Sequence, residues 1–152
     1  SRGRLTEDDA QKIDEALGFL GLEDLAQRFI DELSGGQRQR AYVAMVLAQD
    51  TDFVLLDEPL NNLDMKHAVS MMQLMRRAVR QLGKTVVLVL HDINFASVYA
   101  DHIIAMREGR LAHAGTPAEV ITPEIMRGLY DIEVGVHAIA GQLISVYYDQ
   151  EK

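Results

Sequence analysis

Apolar residues recur along this chain with two different periods, and the alternation between them outlines the elements. Thr6 followed by Glu7, Asp8 and Asp9 has the form of a helix cap with acids in the first turn. Ile13, Ala16, Leu17 and Leu20 then supply the apolar face of a helix ending near Gly21. A short second helix is predicted from Glu23 to Phe29. From Leu33 the chain reads LSGGQRQR, after which Ala41, Ala44, Met45 and Ala48 share a helical face widened by Val43 and Leu47. Phe53 to Leu56 and Thr85 to Leu90 are continuous β-rich apolar runs, the pattern of parallel strands covered by helices on both faces. Met65 to Leu82 lies between them as a long helical pattern. Strand, helix, strand at this spacing is a βαβ unit and makes the fold class α/β. Further on come a helix around Ile93 to Ala100, two short strands about a turn at Glu108 and Gly109, and a short helix in ITPEIMRGLY. Val134 to Tyr148 alternates around AGQ as a β-hairpin does.

Composition narrows the function classes. The 152 residues are 48% hydrophobic and 25% charged, enough for one domain with a real core. Acidic residues number 23 against 15 basic, a net charge of -8, which argues against general affinity for a nucleic-acid backbone or an anionic membrane surface. With no cysteine, disulfides and thiolate metal sites are excluded. Apolar stretches such as Val86 to Leu90 are far too short to cross a bilayer, so a membrane role would come through a partner. The opening SRGRLTEDD has no initiator Met and runs directly into a capping pattern, so the chain is expected to be a piece of something longer.

The candidate chemistry sits at three places. Ser34 is placed to cap the helix that follows it. Gly35 and Gly36 carry no Cβ to keep another molecule from the unpaired N–H groups there, and such an end attracts anions. Asp57 and Glu58 close the first strand, and His91 and Asp92 the second. Ligands in open α/β sheets bind beyond the carboxyl ends of the strands, so the two pairs are expected to share one crevice. There one carboxylate would hold Mg²⁺ through water, its neighbour would orient or deprotonate an attacking water, and a histidine would stabilise charge on a transferring phosphoryl group. LLDEP alone reads equally well as solvated acids ending a strand. LSGGQ before it and His91 after it shift the balance.

LSGGQ, then FVLLDEP, LNNLD and VLVLHD resemble, in order and spacing, the motifs of ATP-binding cassette transporter nucleotide-binding subunits, over nearly the whole chain. The resemblance implies a P-loop NTPase-type fold with ATP and Mg²⁺ as cofactors. It makes Ser34, Gly35, Gly36 and Gln37 the signature motif, which contacts the γ-phosphate of ATP held by an opposing subunit. Asp57 becomes the Walker B aspartate near Mg²⁺, Glu58 the catalytic glutamate, Asn61, Asn62, Leu63 and Asp64 the loop coupling the two sites, and His91 the switch histidine. Within the family, RQRAYVAMVLAQDTDFVLLDEPLNNLD and LHDINFASVYADHIIAMREG look most like the ATPases of iron-siderophore importers, with vitamin B12 and haem importers and non-transport cassettes as alternatives. The implied partners are a second copy of the subunit, transmembrane permease subunits and, indirectly, a periplasmic substrate-binding protein, with no nucleic acid. The implied location is peripheral, on the cytoplasmic face of the cell membrane.

Two expected motifs are missing. There is no phosphate loop G-x-x-x-x-G-K-[ST] and no upstream glutamine loop. GKT at Gly83 to Thr85 is a decoy, because Ala78 stands where the first glycine belongs and the segment leads from helix into strand. About the first two fifths of the cassette is therefore expected to be absent, and the 152 residues alone are expected to be inactive. Residues 1–33 would end the helical subdomain, 34–132 would form the signature helix and the C-terminal part of the parallel-sheet core, and 133–152 a terminal β-hairpin. Met71, Met72 and Met75 read as core, and Arg76, Arg77 and Arg80 as a solvated helix end. Arg38 and Arg40 divide evenly between a solvated face and the phosphate site. His67, His102, His113 and His137 lack metal-ligand spacing and read as structural or surface residues.

Overall fold

The computed structural model describes residues 5–148, so the ends of the expected first and last segments, 1–4 and 149–152, lie outside the described residues. Two compact units divide between Val89 and Leu90.

The first unit opens with α1 (Glu7–Leu20). Thr6 caps it through a reciprocal bond with Asp9, and Gly21 ends it in the left-handed conformation at φ 63°. Two 3₁₀ turns, Glu23–Leu25 and Ile30–Glu32, follow where one helix from Glu23 to Phe29 was expected. That segment is too short to nucleate a helix alone. Its Phe29, 77% exposed, also offers no apolar face to a neighbour. Then come α2 (Gly35–Leu47), β1 (Phe53–Asp57), α3 (Met65–Leu82) and β2 (Thr85–Val89). β1 and β2 pair in parallel, Phe53 opposite Thr85 through Asp57 opposite Val89.

The core of this unit joins Ala16 and Leu20 of α1, Val43, Ala44 and Leu47 of α2, Val54 of β1, and Met71, Leu74 and Met75 of α3. The methionines fill it as expected. Met45 does not; it stays exposed, and the buried face of α2 centres on Val43, Ala44 and Leu47. The strands depart from expectation as well. Burial alternates along them, with Val54 inside while Phe53, Leu55, Val87 and Val89 are exposed, so one face of the pair packs and the other does not. Both strands are composed for two covered faces, and α1, α2 and α3 all pack on the Val54 side.

The second unit begins with α4 (Ile93–Tyr99) and the antiparallel pair β3 (Ile103–Arg107) and β4 (Arg110–Gly115), turning at Glu108 and Gly109 with positive φ at both. α5 (Pro117–Val120) was not anticipated. Its signal is Thr116 with Glu119 three residues on, a capping box with Pro at the first helical position. α6 (Pro123–Tyr130) and the hairpin β5 (Gly135–Ile139) and β6 (Gln142–Val146) complete it. Ile93, Val120, Ile121, Met126 and Val134 form its core. α4 is tied to the hairpin by side chains: Asn94 Nδ2 donates to the Ser145 carbonyl and Asn94 Oδ1 accepts from its N–H, at 3.2 and 2.7 Å, while Ser97 Oγ donates to the Leu143 carbonyl at 2.8 Å.

Candidate functional site

Ser34 caps α2 as its sequence implies. Its Oγ accepts from the Gln37 N–H at 3.3 Å, and Gln37 Oε1 accepts from the Ser34 N–H at 3.0 Å. The reciprocal bonds fix the first turn and leave the N–H groups of Gly35 and Gly36 at positions where a helix has no acceptors of its own. The two glycines differ. A Cβ on Gly35 would meet nothing within 4 Å, so that side is open to an approaching group. A Cβ on Gly36 would stand 2.6 Å from Cδ2 of His67, so the imidazole ring occupies the space a side chain would need.

Arg38 and Arg40, evenly divided in the sequence reading, hold the preceding segment. Arg38 donates from Nε and Nη2 to the carbonyls of Ile30 and Asp31, both at 3.2 Å, and Arg40 reaches the Leu20 carbonyl at 3.5 Å.

β1 ends at Asp57, and the chain turns sharply at Glu58. Glu58 lies in the left-handed region at φ 47°, with its N–H donating to the Val89 carbonyl at 3.1 Å. For a residue with a Cβ this conformation costs roughly 1–2 kcal/mol, a type of strain that clusters at functional sites. Its own carbonyl accepts from the Asn61 N–H at 3.1 Å, closing a turn, and the Asn61 side-chain amide donates to Glu58 Oε2. Asn62 is also left-handed, at φ 61°.

The loop ends at Asp64, which caps α3. Its Oδ1 accepts from the His67 N–H at 2.9 Å and lies 2.7 Å from His67 Nδ1. These two bonds, the backbone one first, hold the Asp64 carboxyl below the ordinary carboxylate range. The structure thus gathers Asp57, Glu58 and Asn61 to Asp64 in one connected turn, and sets His67 between that turn and Gly36.

His91 is exposed and lies two residues beyond β2, opening the second unit. Asp92 beside it has a local role, its Oδ1 capping α4 by accepting from the N–H groups of Asn94 and Phe95 at 2.8 and 2.9 Å. The decoy reading of GKT agrees with the local geometry. Gly83 is the left-handed C-cap of α3, and Lys84 Nζ pairs with Asp50 at 2.9 Å.

Among the described residues no group of three or more His, Cys, Asp or Glu side chains is placed to hold a metal ion. Asp57, at the end of β1, offers a carboxylate, the hard oxygen donor that a Mg²⁺ bound mainly through waters and phosphates would take. The sequence assigns His67 only a structural or surface place and not its position beside Gly36. Its signal was the spacing of Asp64 and His67, three residues apart at a helix start, with Gly36 too far along the chain to reveal the contact.

The sequence model of the ABC transporter family matches residues 3–61. The petrobactin import ATP-binding protein YclP of Bacillus subtilis (strain 168) is 53% identical over 148 residues, which is 97% of this chain and 59% of the relative. The chain thus spans little more than half the length of that relative. An ABC transporter solved in an inward-facing conformation superposes with a TM-score of 0.88 over 98% of this chain and 61% of its own, and at 24% identity it bears on the fold alone. The ATP-binding cassette MJ0796, solved as a dimer in a post-hydrolysis state with ADP and Pi, is 34% identical, with a TM-score of 0.62 over 77% of this chain and 51% of its own. With four motifs in register, a matching fold and relatives of this kind, the chain belongs to the nucleotide-binding ATPases of the ABC transporter family and carries a portion of that ATPase domain.

Proposed function

We propose that the protein to which this chain belongs hydrolyses ATP to energise import of an iron-siderophore complex, with petrobactin the first candidate because of its similarity to YclP. Glu58 is the base-like residue that orients and deprotonates the attacking water, and Asn61 holds its carboxylate in place. Asp57 is the ligand toward Mg²⁺, which when bound neutralises charge on the phosphate oxygens. His91 donates to the γ-phosphate from beyond β2. Ser34, Gly35, Gly36 and Gln37 face a nucleotide cradled by a second copy of the subunit, with the open backbone at Gly35 admitting it. Asn61, Asn62, Leu63 and Asp64 couple the two sites. The subunit sits peripherally on the cytoplasmic face of the membrane, against permease subunits that receive substrate from a periplasmic binding protein. No helix among the described residues is long and apolar enough to cross a membrane.

The observation that carries this reading is the left-handed Glu58 with its carboxylate taken by Asn61, a strained backbone of the kind that clusters at functional sites. The test is Glu58→Gln in the full-length protein. ATP binding is expected to persist while steady-state hydrolysis falls at least about 100-fold, the scale of a lost general base. Near-normal hydrolysis would remove Glu58 from the mechanism.

A further inference from the structure

His67 stands between two pieces of the candidate site, Gly36 and Asp64, that the sequence leaves 28 residues apart. On one side its Nδ1 lies 2.7 Å from Asp64 Oδ1, at the end of the loop that begins with Asn61. An ionised carboxylate only accepts, so Nδ1 carries the proton of that bond. On the other side the ring lies over Gly36, with Cδ2 2.6 Å and Cγ and Nε2 3.1 Å from where a Cβ would be. The contact has no slack, since even a methyl group on Gly36 would force the ring away. The ring is also only partly exposed, and the His67 main-chain N–H binds the same Asp64 oxygen at 2.9 Å, so the loop end of the bridge is held twice while the α2 end rests on the close approach of the ring to Gly36. A shift of the loop 61–64 toward α2 must then either break the Asp64 bond or press the ring against the first turn of α2, and a shift away takes the ring off Gly36.

We propose that His67 is a positioning residue which sets the spacing between the loop ending at Asp64 and the Gly35–Gly36 turn, so that the open N–H groups of α2 reach a phosphate only when the loop is in its Asp64-bonded arrangement. The proposal rests on the functional reading above. It assigns His67 no contact with nucleotide. Its effect falls on turnover and not on nucleotide affinity, because the phosphate meeting this turn is held elsewhere.

The test compares full-length wild-type protein with His67→Ala, Asp64→Ala and the double variant, measuring kcat, the dissociation constant for ATP and the melting temperature. His67→Ala is expected to lower kcat about tenfold while ATP affinity stays within twofold of wild type. In the Asp64→Ala background, where the tie is already cut, removing the ring is expected to cost less than a further twofold. A wild-type protein without ATPase activity would sink the functional reading itself. With an active wild type, a His67→Ala kcat within twofold of normal, losses that multiply in the double variant, or a kcat loss matched by lost ATP affinity would each overturn this inference alone. Should His67→Ala melt too low to assay, His67→Asn keeps an amide donor toward Asp64 and takes the ring off Gly36. The same kinetic split is required of it, and wild-type turnover there overturns the proposal.

Discussion

The Gln39 side-chain amide donates to the main-chain carbonyl of Pro59 at 2.9 Å, joining the second turn of α2 to the turn that carries Glu58. Pro59 has no N–H and is fully buried, so its carbonyl is the polar handle by which the turn is held from this side. The bond ties the second turn of α2 to the turn that carries Glu58, across twenty residues of sequence. Gln39→Ala is expected to cost about 1 kcal/mol of stability, the scale of one partly buried hydrogen bond. Turnover should fall several-fold as the Glu58 turn loosens. Urea unfolding and steady-state ATPase of the full-length variant check the two parts, and unchanged turnover would reduce Gln39 to a purely structural tie.

His91→Ala is expected to lower steady-state hydrolysis by about 10- to 100-fold, since one donor to a developing phosphoryl charge is lost. The exposed position of His91 means that the substitution leaves no cavity. Circular dichroism beside the ATPase assay separates lost turnover from lost folding.

Phe53, Leu55, Val87 and Val89 form an exposed apolar face on the β1–β2 pair, with Phe53 68% and Leu55 73% exposed. The 152-residue chain by itself is therefore expected to self-associate. Lacking a phosphate loop, it should also bind ATP with Mg²⁺ no tighter than millimolar. Light scattering and a titration with labelled ATP test both expectations. Leu55→Thr, which puts a hydroxyl on that face and brings in the β-branched side chain that strands favour, should reduce the scattering.

Tyr147 stacks on Tyr148 with ring centroids 4.6 Å apart. The hydrogen bond it shares with the Tyr148 side chain, and then its burial, push its phenol up to about 12 from an ordinary 10.0. The folded chain thus keeps this proton to higher pH than the unfolded chain does. The stabilisation is complete below pH 10 and is lost as pH rises toward 12. An alkaline titration followed at 295 nm should show one of the five tyrosines ionising last, and Tyr148→Phe should bring that step down.

What the sequence disclosed follows from what each feature depends on. The helix over Met65–Leu82 was legible to the residue, since Asp64 caps it, Gly83 ends it and its buried stripe runs through Met71, Met72 and Met75. The cap at Ser34 was legible for the same local reason. Burial of the strands was not, because apolar composition records which faces a strand is suited to cover, while Leu55 shows which face this chain leaves open. The divided roles of the two glycines were also invisible. Gly35 serves openness, as its sequence suggested, but the need for Gly36 comes from an imidazole thirty-one positions away, a contact that no local pattern encodes. The arginines at 38 and 40 were undecidable for a like reason, since their partners are main-chain carbonyls, which have no sequence signature.

With the role proposed for Glu58, the backbone there sets folding and turnover against each other at a single codon. Asparagine enters the left-handed region more easily than glutamate and would relieve part of the conformational cost, on the order of 1 kcal/mol. A library sorted only for well-folded protein would therefore drift from glutamate toward asparagine at this position. On the role proposed for Glu58, only sorting by ATP hydrolysis would hold the acid in place, so thermostability alone is a misleading guide to improving turnover.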